Sequence, residues 1–266
     1  MLFLTLALAT SPALACSCAT GLDDALPEDG AVGVALDAAP FLHFSSDPGT
    51  LRLVDAATGA DVPVTVDEVA QASHTVVRLV PTAPLEPLHT YTIEGDPGYG
   101  RVALPLMFTT GEAADAVPPD AVTLGDVEPI SNTGGDSSCG PALYLIAKPR
   151  GATPDAYFET EVSWTGDFSD AVAFRSAERG SHVLGWGLCD ETVPELQTGD
   201  DVWVRSRAVD LSGNAGPWSD VAEVRGVGGG VFAKAGCASV GGAPVAGGAL
   251  GLALLGLGLR RRSRRG

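Results

Sequence analysis

The side chains that could carry chemistry in this chain are few and widely spaced. The four histidines are His43, His74, His89 and His182, and none lies three to five positions from another or from a cysteine, as zinc ligands commonly do. His43 alternates within a short apolar run, which favours a structural histidine. Ser181, His182 and Asp170 can be written as a hydrolase triad, but nothing in their spacing brings them together. The sequence therefore predicts no catalytic residue, no metal site and no cofactor.

Two further patterns have both a functional and a structural interpretation. Asp210, Ser212 and Asn214 have the spacing of the first ligands of a calcium loop, but the later glutamate of such a loop is replaced by Val221. A tight turn is the favoured interpretation. Trp203, Arg205 and Arg207 alternate along a predicted strand and so share one face. They could form an exposed contact patch, but packing of arginine stems on an indole is favoured.

The charge balance excludes some partners. The chain has 16 basic and 33 acidic residues, and five of the basic ones are arginines at the extreme C-terminus. The remainder would repel phosphate backbones, which argues against nucleic acid as a partner. An acidic surface keeps an exported protein soluble, and it could also bind divalent cations weakly. The apolar content of 45% predicts folded cores.

The middle of the chain shows short apolar runs separated by Gly, Pro and Asp turn signals, and no stretch of twelve residues has a helical stripe. Strands are predicted at residues 40–44, 51–55, 62–66, 75–81, 90–94 and 104–109, and then at 121–127, 142–147, 157–164, 171–175, 182–187, 201–209 and 218–224. The sequence predicts an all-β protein of two tandem β-sandwiches, at residues 24–112 and 121–226. A stiff linker is predicted at residues 113–120 and a Gly-rich one at residues 227–236.

The first sandwich resembles the bacterial Ig-like domain of S-layer and other surface proteins. The resemblance rests on Gly30-Ala31-Val32-Gly33-Val34, Leu42-His43-Phe44-Ser45 and Phe108-Thr109-Thr110-Gly111. Leu85 precedes Tyr91 by six residues, as at the corner where such sandwiches bond a tyrosine hydroxyl to nearby backbone. Members of that family usually act as spacers, stalks or adhesive modules.

The second sandwich resembles a fibronectin type III domain. Leu196 lies six residues before Val202, and Val204, Ser206 and Ala208 continue one face. They are followed by the turn Ser212-Gly213-Asn214 and by Pro217-Trp218-Ser219. Val202 stands where the corner tyrosine would be, so we expect that hydrogen bond to be missing.

The cysteines are Cys16, Cys18, Cys139, Cys189 and Cys237. In a fibronectin type III sandwich the second and fifth strands are antiparallel neighbours. Cys139 lies just before the second predicted strand and Cys189 just after the fifth, so the resemblance implies a disulfide between them. Cys16 and Cys18 are too close for an unstrained mutual bridge, and their pairing stays open.

The N-terminal residues 1–15 are apolar and end in Ala13-Leu14-Ala15, a pattern that signal peptidase cuts after. Cleavage between Ala15 and Cys16 would leave a short cysteine-containing segment at residues 16–23. The alternative is a lipoprotein leader with lipid on Cys16, although such leaders usually carry a larger aliphatic residue where Ala13 stands. Either route exports the chain to a compartment where disulfides form.

The C-terminal residues 237–266 combine Cys237, an apolar run and an arginine cluster. Residues 238–259 carry no charge and as a helix would reach ~33 Å, about the thickness of a bilayer core. The cluster is formed by Arg260, Arg261, Arg262, Arg264 and Arg265, a positive stop that stays in the cytoplasm. Seven glycines and Pro244 weaken the helix, which suits a transient anchor.

Together these features resemble the MYXO-CTERM sorting tail of myxobacterial surface proteins. The resemblance implies that the helix holds the protein in the inner membrane until a myxosortase-like protease cuts near Cys237, after which the protein reaches the cell surface or outer membrane. An ordinary membrane anchor is the alternative. The sequence therefore predicts a non-catalytic, secreted and surface-displayed structural, spacer or adhesion module. The alternative function is a carbohydrate- or protein-binding accessory module of a surface hydrolytic system, and the ligand class, surface protein or glycan, is left open.

Overall fold

The computed structural model describes residues 20–96, 98, 100–132, 141–187 and 191–228. Within them every regular element is a β-strand, which confirms the all-β fold. The strands are β1 (Leu22–Leu26), β2 (Ala31–Val34), β3 (Phe41–Phe44), β4 (Leu51–Asp55), β5 (Val64–Gln71), β6 (His74–Pro81), β7 (Thr90–Gly95), β8 (Leu106–Thr110), β9 (Thr123–Leu124), β10 (Glu128–Asn132), β11 (Ala142–Ala147), β12 (Pro149–Arg150), β13 (Ala156–Ser163), β14 (Val172–Ser176), β15 (His182–Trp186), β16 (Val202–Asp210) and β17 (Ala222–Val224).

The first eight strands form two four-stranded sheets, in the orders β1-β3-β6-β5 and β2-β8-β7-β4. Neighbours are antiparallel except for β2 and β8, which are parallel. If β2 is lettered A′ and the other strands are lettered A to G in chain order, the first sheet is the A-B-E-D sheet of an immunoglobulin sandwich and the second contains its G-F-C strands. Leu42, Phe44 and Ile93 are fully buried between the sheets, as period-two alternation of side chains requires.

A tyrosine corner closes this sandwich, as the sequence predicts. The backbone N–H of Glu86 donates a 2.9 Å hydrogen bond to the hydroxyl of Tyr91 at the start of β7, and Leu85 is buried beside it. Burial raises the pKa of Tyr91, so the hydroxyl keeps its proton at neutral pH.

The later strands form a three-stranded sheet, β10-β11-β15, and a four-stranded sheet, β14-β13-β16-β17. This three-plus-four arrangement is that of a fibronectin type III sandwich; β9 and β12 form a separate short pair. Val202, Val204, Ser206 and Ala208 are all buried on one face of β16, as predicted. Residues 111–122, between the two groups of strands, carry no strand.

The corner of the second sandwich is closed without a tyrosine. Val202 is fully buried, and the Trp186 indole N–H donates to the Leu196 carbonyl at 2.7 Å. Asp200 accepts hydrogen bonds from the backbone N–H of Gln197 and from the Trp164 indole N–H, both at 2.8 Å. Trp186 and Asp200 therefore each satisfy one backbone group at this corner, and Trp164 holds the Asp200 carboxylate in place.

Most predicted strands are found within one or two residues of their expected ends, and four strands were missed: β1, β2, β10 and β12. The predicted strand at residues 121–127 was wrong: the structure has the two-residue β9 there and a separate β10 after it. β1 and β2 were missed because a register shift interrupts each of them, so neither shows the regular alternation on which strand prediction depends.

Candidate functional site

The two sandwiches meet side by side. The outer face of the β1-β3-β6-β5 sheet is covered by β14 and the residue after it, and this contact is called the joint below. On the first sandwich, Asp24 accepts hydrogen bonds from the Ser176 hydroxyl at 2.9 Å and from the Ala177 N–H at 3.1 Å. The Gln71 amide accepts from the Arg175 N–H at 2.6 Å and donates to the Arg175 carbonyl at 3.3 Å. Gln71 thus continues the hydrogen bonding of β14, which is an edge strand of its own sheet.

Apolar packing extends across the joint. The rings of Phe41 and Tyr157 are stacked, with centroids 4.4 Å apart and an interplanar angle of 15°. Tyr157, Ala177, Val209 and Leu211 belong to the same continuous buried cluster as the core of the first sandwich. The Ala39 N–H donates to the Leu211 carbonyl at 2.8 Å. The joint therefore has an apolar centre flanked by satisfied polar contacts, as in a domain interior.

Three of the four histidines gather at the joint. The rings of His43 and His74 are stacked with centroids 4.9 Å apart. The Phe174 ring, from β14, stands edge-on to His43, His74 and His182 at 5.5, 6.1 and 5.7 Å. All three imidazoles are buried. These histidines and Phe174 form the imidazole cluster, which the sequence did not predict because its members come from strands far apart in the chain.

Asp24 links the imidazole cluster to the second sandwich. Its Oδ2 lies 3.2 Å from His43 Nδ1, in addition to its contacts with Ser176 and Ala177. Burial by itself would raise the pKa of Asp24. The electrostatic attraction of His43 and the hydrogen bonds that Asp24 accepts outweigh burial, so the pKa of Asp24 is lowered. Asp24 is therefore ionised at neutral pH, and it orients the His43 ring.

One group of side chains in this region has the chemistry of a metal site. Asp23, His43 and His74 can each place one ligand atom within 4.8 Å of the other two. Motif searches look for ligands a few positions apart, whereas these lie on β1, β3 and β6. The local feature that could have drawn attention to them is the consecutive Asp23-Asp24 pair near the start of β1.

His182 and Asp170 are engaged separately, so the hydrolase triad does not form. Imidazole Nδ1 of His182 lies 3.1 Å from the Thr160 hydroxyl and Nε2 lies 3.3 Å from the Glu178 carbonyl. Burial lowers the pKa of His182 to about 4. Asp170 instead accepts hydrogen bonds from Ser163 and Thr165. His182 is therefore a neutral structural side chain at pH 7.

The Asp210 segment is a tight turn, as favoured from the sequence. Asp210 accepts hydrogen bonds from the Asn214 N–H at 2.8 Å and from its side-chain amide at 2.9 Å. The Gly213 N–H donates to the Asp210 carbonyl at 3.1 Å. Burial raises the pKa of this carboxyl, and the charge of Asp115 adds to the effect. Both carboxylate oxygens of Asp210 thus accept hydrogen bonds within the turn.

Arginine–aromatic packing covers the outer face of β16. The Arg205 guanidinium lies 3.9 Å from the Phe168 ring centroid and 4.2 Å from that of Trp218, and Arg207 lies 4.3 Å from Trp218. The expected packing of Arg205 and Arg207 on Trp203 was wrong about the indole, because both guanidinium groups pack on Trp218. Since Arg205 fills the space between the two rings, these aromatic faces are occupied within the chain.

An acidic cleft of about 260 Å³ lies beside the connection between the sandwiches. Its lining includes Asp115, Asp120, Asp155 and Asp210. Such a cleft attracts cations electrostatically, and it contributes to the acidic surface expected from the composition.

Several predicted site residues lie outside the residues that the structure describes. They are Ala15, Cys16, Cys139, Cys189, Cys237, Arg260, Arg261, Arg262, Arg264 and Arg265. The apolar run at residues 238–259 lies outside them as well. In the described part of the chain, no helix has the length and hydropathy needed to cross a bilayer.

Strand order, the tyrosine corner and the joint define the class: an all-β protein with two immunoglobulin-type sandwiches, the first with immunoglobulin strand order and the second with that of fibronectin type III. No protein-family model matches the chain, and no curated protein does. Among solved structures, the FN1–FN3 domains of chicken CNTN1 are 15% identical with a TM-score of 0.29, and the match covers 77% of this chain and 65% of that one. A structure of titin domains is 11% identical with a TM-score of 0.26, and the match covers 74% and 61%. The match thus spans less than two thirds of either structure, and the class rests on the strand topology.

Proposed function

We propose that this chain is a non-catalytic surface protein whose two sandwiches act as one stiff structural or adhesion module. Display on the cell exterior after processing of the C-terminal tail at Cys237 is part of the proposal. The observation that carries the structural role is the joint. Tandem domains joined only by a linker reorient by default, whereas here Asp24, Gln71 and Phe41 fix one sandwich against the other.

A spacer role is favoured over glycan binding because of the aromatic side chains. Sugar rings stack on exposed aromatic faces, and aromatic residues make up only 6% of the chain. Among the described residues, the large apolar side chains that are exposed are Val32, Val66, Leu88, Met107, Val117 and Val221. None of these is aromatic, and the Trp218 face is covered by arginine.

The joint is tested by hydrogen exchange at the Ala39 amide, whose acceptor is the Leu211 carbonyl of the other sandwich. In the full chain in mild detergent, this amide should exchange as slowly as amides inside β3. A Gln71→Ala/Asp24→Ala variant removes four hydrogen bonds across the joint. Because a buried hydrogen bond contributes about 1 kcal/mol, Ala39 protection should fall by at least about tenfold.

The matched control is Asp61→Ala/Gln197→Ala, which changes the same residue types at exposed positions of each sandwich. Its Ala39 protection should equal that of the wild type. Wild-type exchange at Ala39 as fast as in an exposed loop would refute a stiff module, because it would show that the sandwiches separate readily.

A further inference from the structure

We infer that Asp23, His43 and His74 bind one divalent transition-metal ion, and that Zn²⁺ is the ion they suit. Their ligand atoms come together within 4.8 Å of one another. Two imidazole nitrogens and one carboxylate oxygen form a donor set that zinc accepts, with water in the remaining position. The inference does not depend on the proposed function, since it concerns binding by the isolated protein.

A β-bulge brings the carboxylate to the imidazoles. Leu22 pairs with Phe44, but the next partner of β3, His43, pairs with Asp24, so Asp23 is an extra residue in β1. In a regular strand Asp23 and Asp24 would face opposite sides of the sheet. The extra residue interrupts this alternation and re-aims a side chain, as bulges do beside functional sites. Both carboxylates are thereby available to the imidazole cluster.

Asp24 supplies the outer support that metal-binding histidines usually have. A ligating histidine commonly donates its other ring N–H to a carboxylate, which fixes the tautomer and the ring orientation. Asp24 Oδ2 lies 3.2 Å from His43 Nδ1, and donation to it places the ring's lone pair on Nε2. Asp24 is itself held by Ser176 and Ala177. The second sandwich therefore orients a ligand that belongs to the first.

The remaining geometry fits an ion that reaches the site from one side. Tetrahedral zinc ligands at 2.0–2.1 Å from the ion are about 3.3 Å apart, so the three side chains must rotate to bring their ligand atoms closer. Phe174 covers the imidazoles from the β14 side. The Asp23 side chain is 15% exposed, and its Oδ1 lies 3.8 Å from Arg101 Nε at the rim. Solvent thus reaches the site past Asp23.

The competing account is a buried Asp–His pair that binds no metal, and titration of the full chain with Zn²⁺ decides between them. Cysteine thiolates also bind zinc, so the thiols are first alkylated. One ion per chain should bind saturably, and the unfolding midpoint should rise with zinc. Asp23→Asn and His74→Gln, which remove ligands, should each weaken binding by at least about tenfold, and Asp24→Asn, which removes the outer support, by about tenfold.

The matched control is His89→Gln. His89 also pairs with a carboxylate, Asp55 at 3.0 Å, but it lies outside the imidazole cluster and should leave zinc affinity unchanged. Circular dichroism establishes that each variant is folded. Loss of affinity in His89→Gln equal to that in His74→Gln would refute the site.

A measurement on the wild type covers the case in which a variant fails to fold. Zinc should shift the imidazole NMR signals of His43 and His74 and leave those of His89 and His182 nearly in place. The inference is overturned if no saturable binding occurs, if both ligand variants retain full affinity, or if the shifts fall on other histidines.

Discussion

At the scale of single residues, the joint shows how burial decides the protonation of a histidine. His182 is 1% exposed, and its two ring nitrogens contact the Thr160 hydroxyl and the Glu178 carbonyl. Burial is the main cause that lowers its pKa from 6.5 to about 4; the charges of His43 and Arg179 lower it further, and Asp24 opposes them. The neutral ring accepts one hydrogen bond and donates the other, which a protonated ring could not do.

This protonation state predicts a loss of stability in weak acid. Between pH 6.5 and pH 4 the unfolded chain protonates His182 while the folded chain does not, so the free energy of unfolding should fall as pH falls through this window. The loss due to His182 should be about 3 kcal/mol. Urea unfolding at several pH values measures it as the difference in pH dependence between the wild type and His182→Gln, which keeps a donor but does not titrate.

The comparison variant is Gln197→Ala, which changes an exposed side chain that does not titrate, and its pH dependence should match that of the wild type. Carboxylates with lowered pKa such as Asp24 and Glu159 lose their contribution only at lower pH, below the ordinary range of Asp and Glu. Identical slopes for the wild type and His182→Gln would contradict the assignment of a neutral buried imidazole.

At the scale of elements, sequence patterning predicted regular strands and failed at irregular ones. The buried and half-buried alternation of β16 was found from its sequence because Val202, Val204, Ser206 and Ala208 follow a period of two. β1 carries Asp23 and Asp24 in its middle and contains a bulge, so its sequence is typical of a loop. In β2, Gly33 has a positive φ of 77° where the register shifts. A glycine at this point in the sequence is also typical of a turn.

The pairing of β11 with β15 supports the predicted disulfide between Cys139 and Cys189. The two strands are antiparallel neighbours, with Leu143 opposite Trp186. A Cβ on Gly187 would lie 3.2 Å from that of Ala142, so β11 begins and β15 ends at the same end of the sheet. Non-reducing peptide mapping of the exported protein should recover Cys139 linked to Cys189.

Closing a loop of this length should stabilise the fold by roughly 3–4 kcal/mol, measured as the change in urea unfolding on reduction. A Cys18→Ala variant serves as the comparison and should leave both the linked peptide and the effect of reduction unchanged. Free thiols at both Cys139 and Cys189 in the exported protein would refute the pairing.

At the scale of the whole molecule, the sequence predicted two sandwiches but not their contact. Patterning reports which side chains are buried and not what buries them. A sign of this contact was nevertheless present in β3, where Phe41, Leu42, His43 and Phe44 are all buried. A strand without polar alternation is typical of a sheet covered on both faces. Here one face packs inside the first sandwich, and the other lies under Tyr157 and Phe174.

The grouping of Asp23, His43 and His74 could not be predicted from the sequence for a related reason. The distance between His43 and His74 in the sequence carries no information until β3 and β6 are known to pair. The role of Asp23 depends further on a bulge, which no residue type specifies. The tyrosine corner is the opposite case, because Leu85 and Tyr91 are six residues apart and their contact is local. Sites built from local spacing can be predicted from one sequence, and sites built from strand pairing cannot.

The C-terminal residues 237–266 carry the prediction that concerns the whole protein. If residues 237–266 are a sorting tail, then Cys237→Ala should leave the tail uncut. The protein should then fractionate with the inner membrane, because the uncharged run at residues 238–259 is long enough to span it and the five arginines stay in the cytoplasm. Intact mass and cell fractionation in the native host measure both consequences.

Cys18→Ala is the matched control, since it removes a cysteine near the other end of the chain and should leave processing and display unchanged. Replacing Arg260, Arg261, Arg262, Arg264 and Arg265 with glutamine separates anchoring from cutting, because it removes the positive stop and keeps Cys237. That variant should anchor less firmly than Cys237→Ala. Surface display of Cys237→Ala at the wild-type level, with the arginines absent from the intact mass, would refute processing at this cysteine. The proposed route of the two sandwiches to the cell surface would then be wrong.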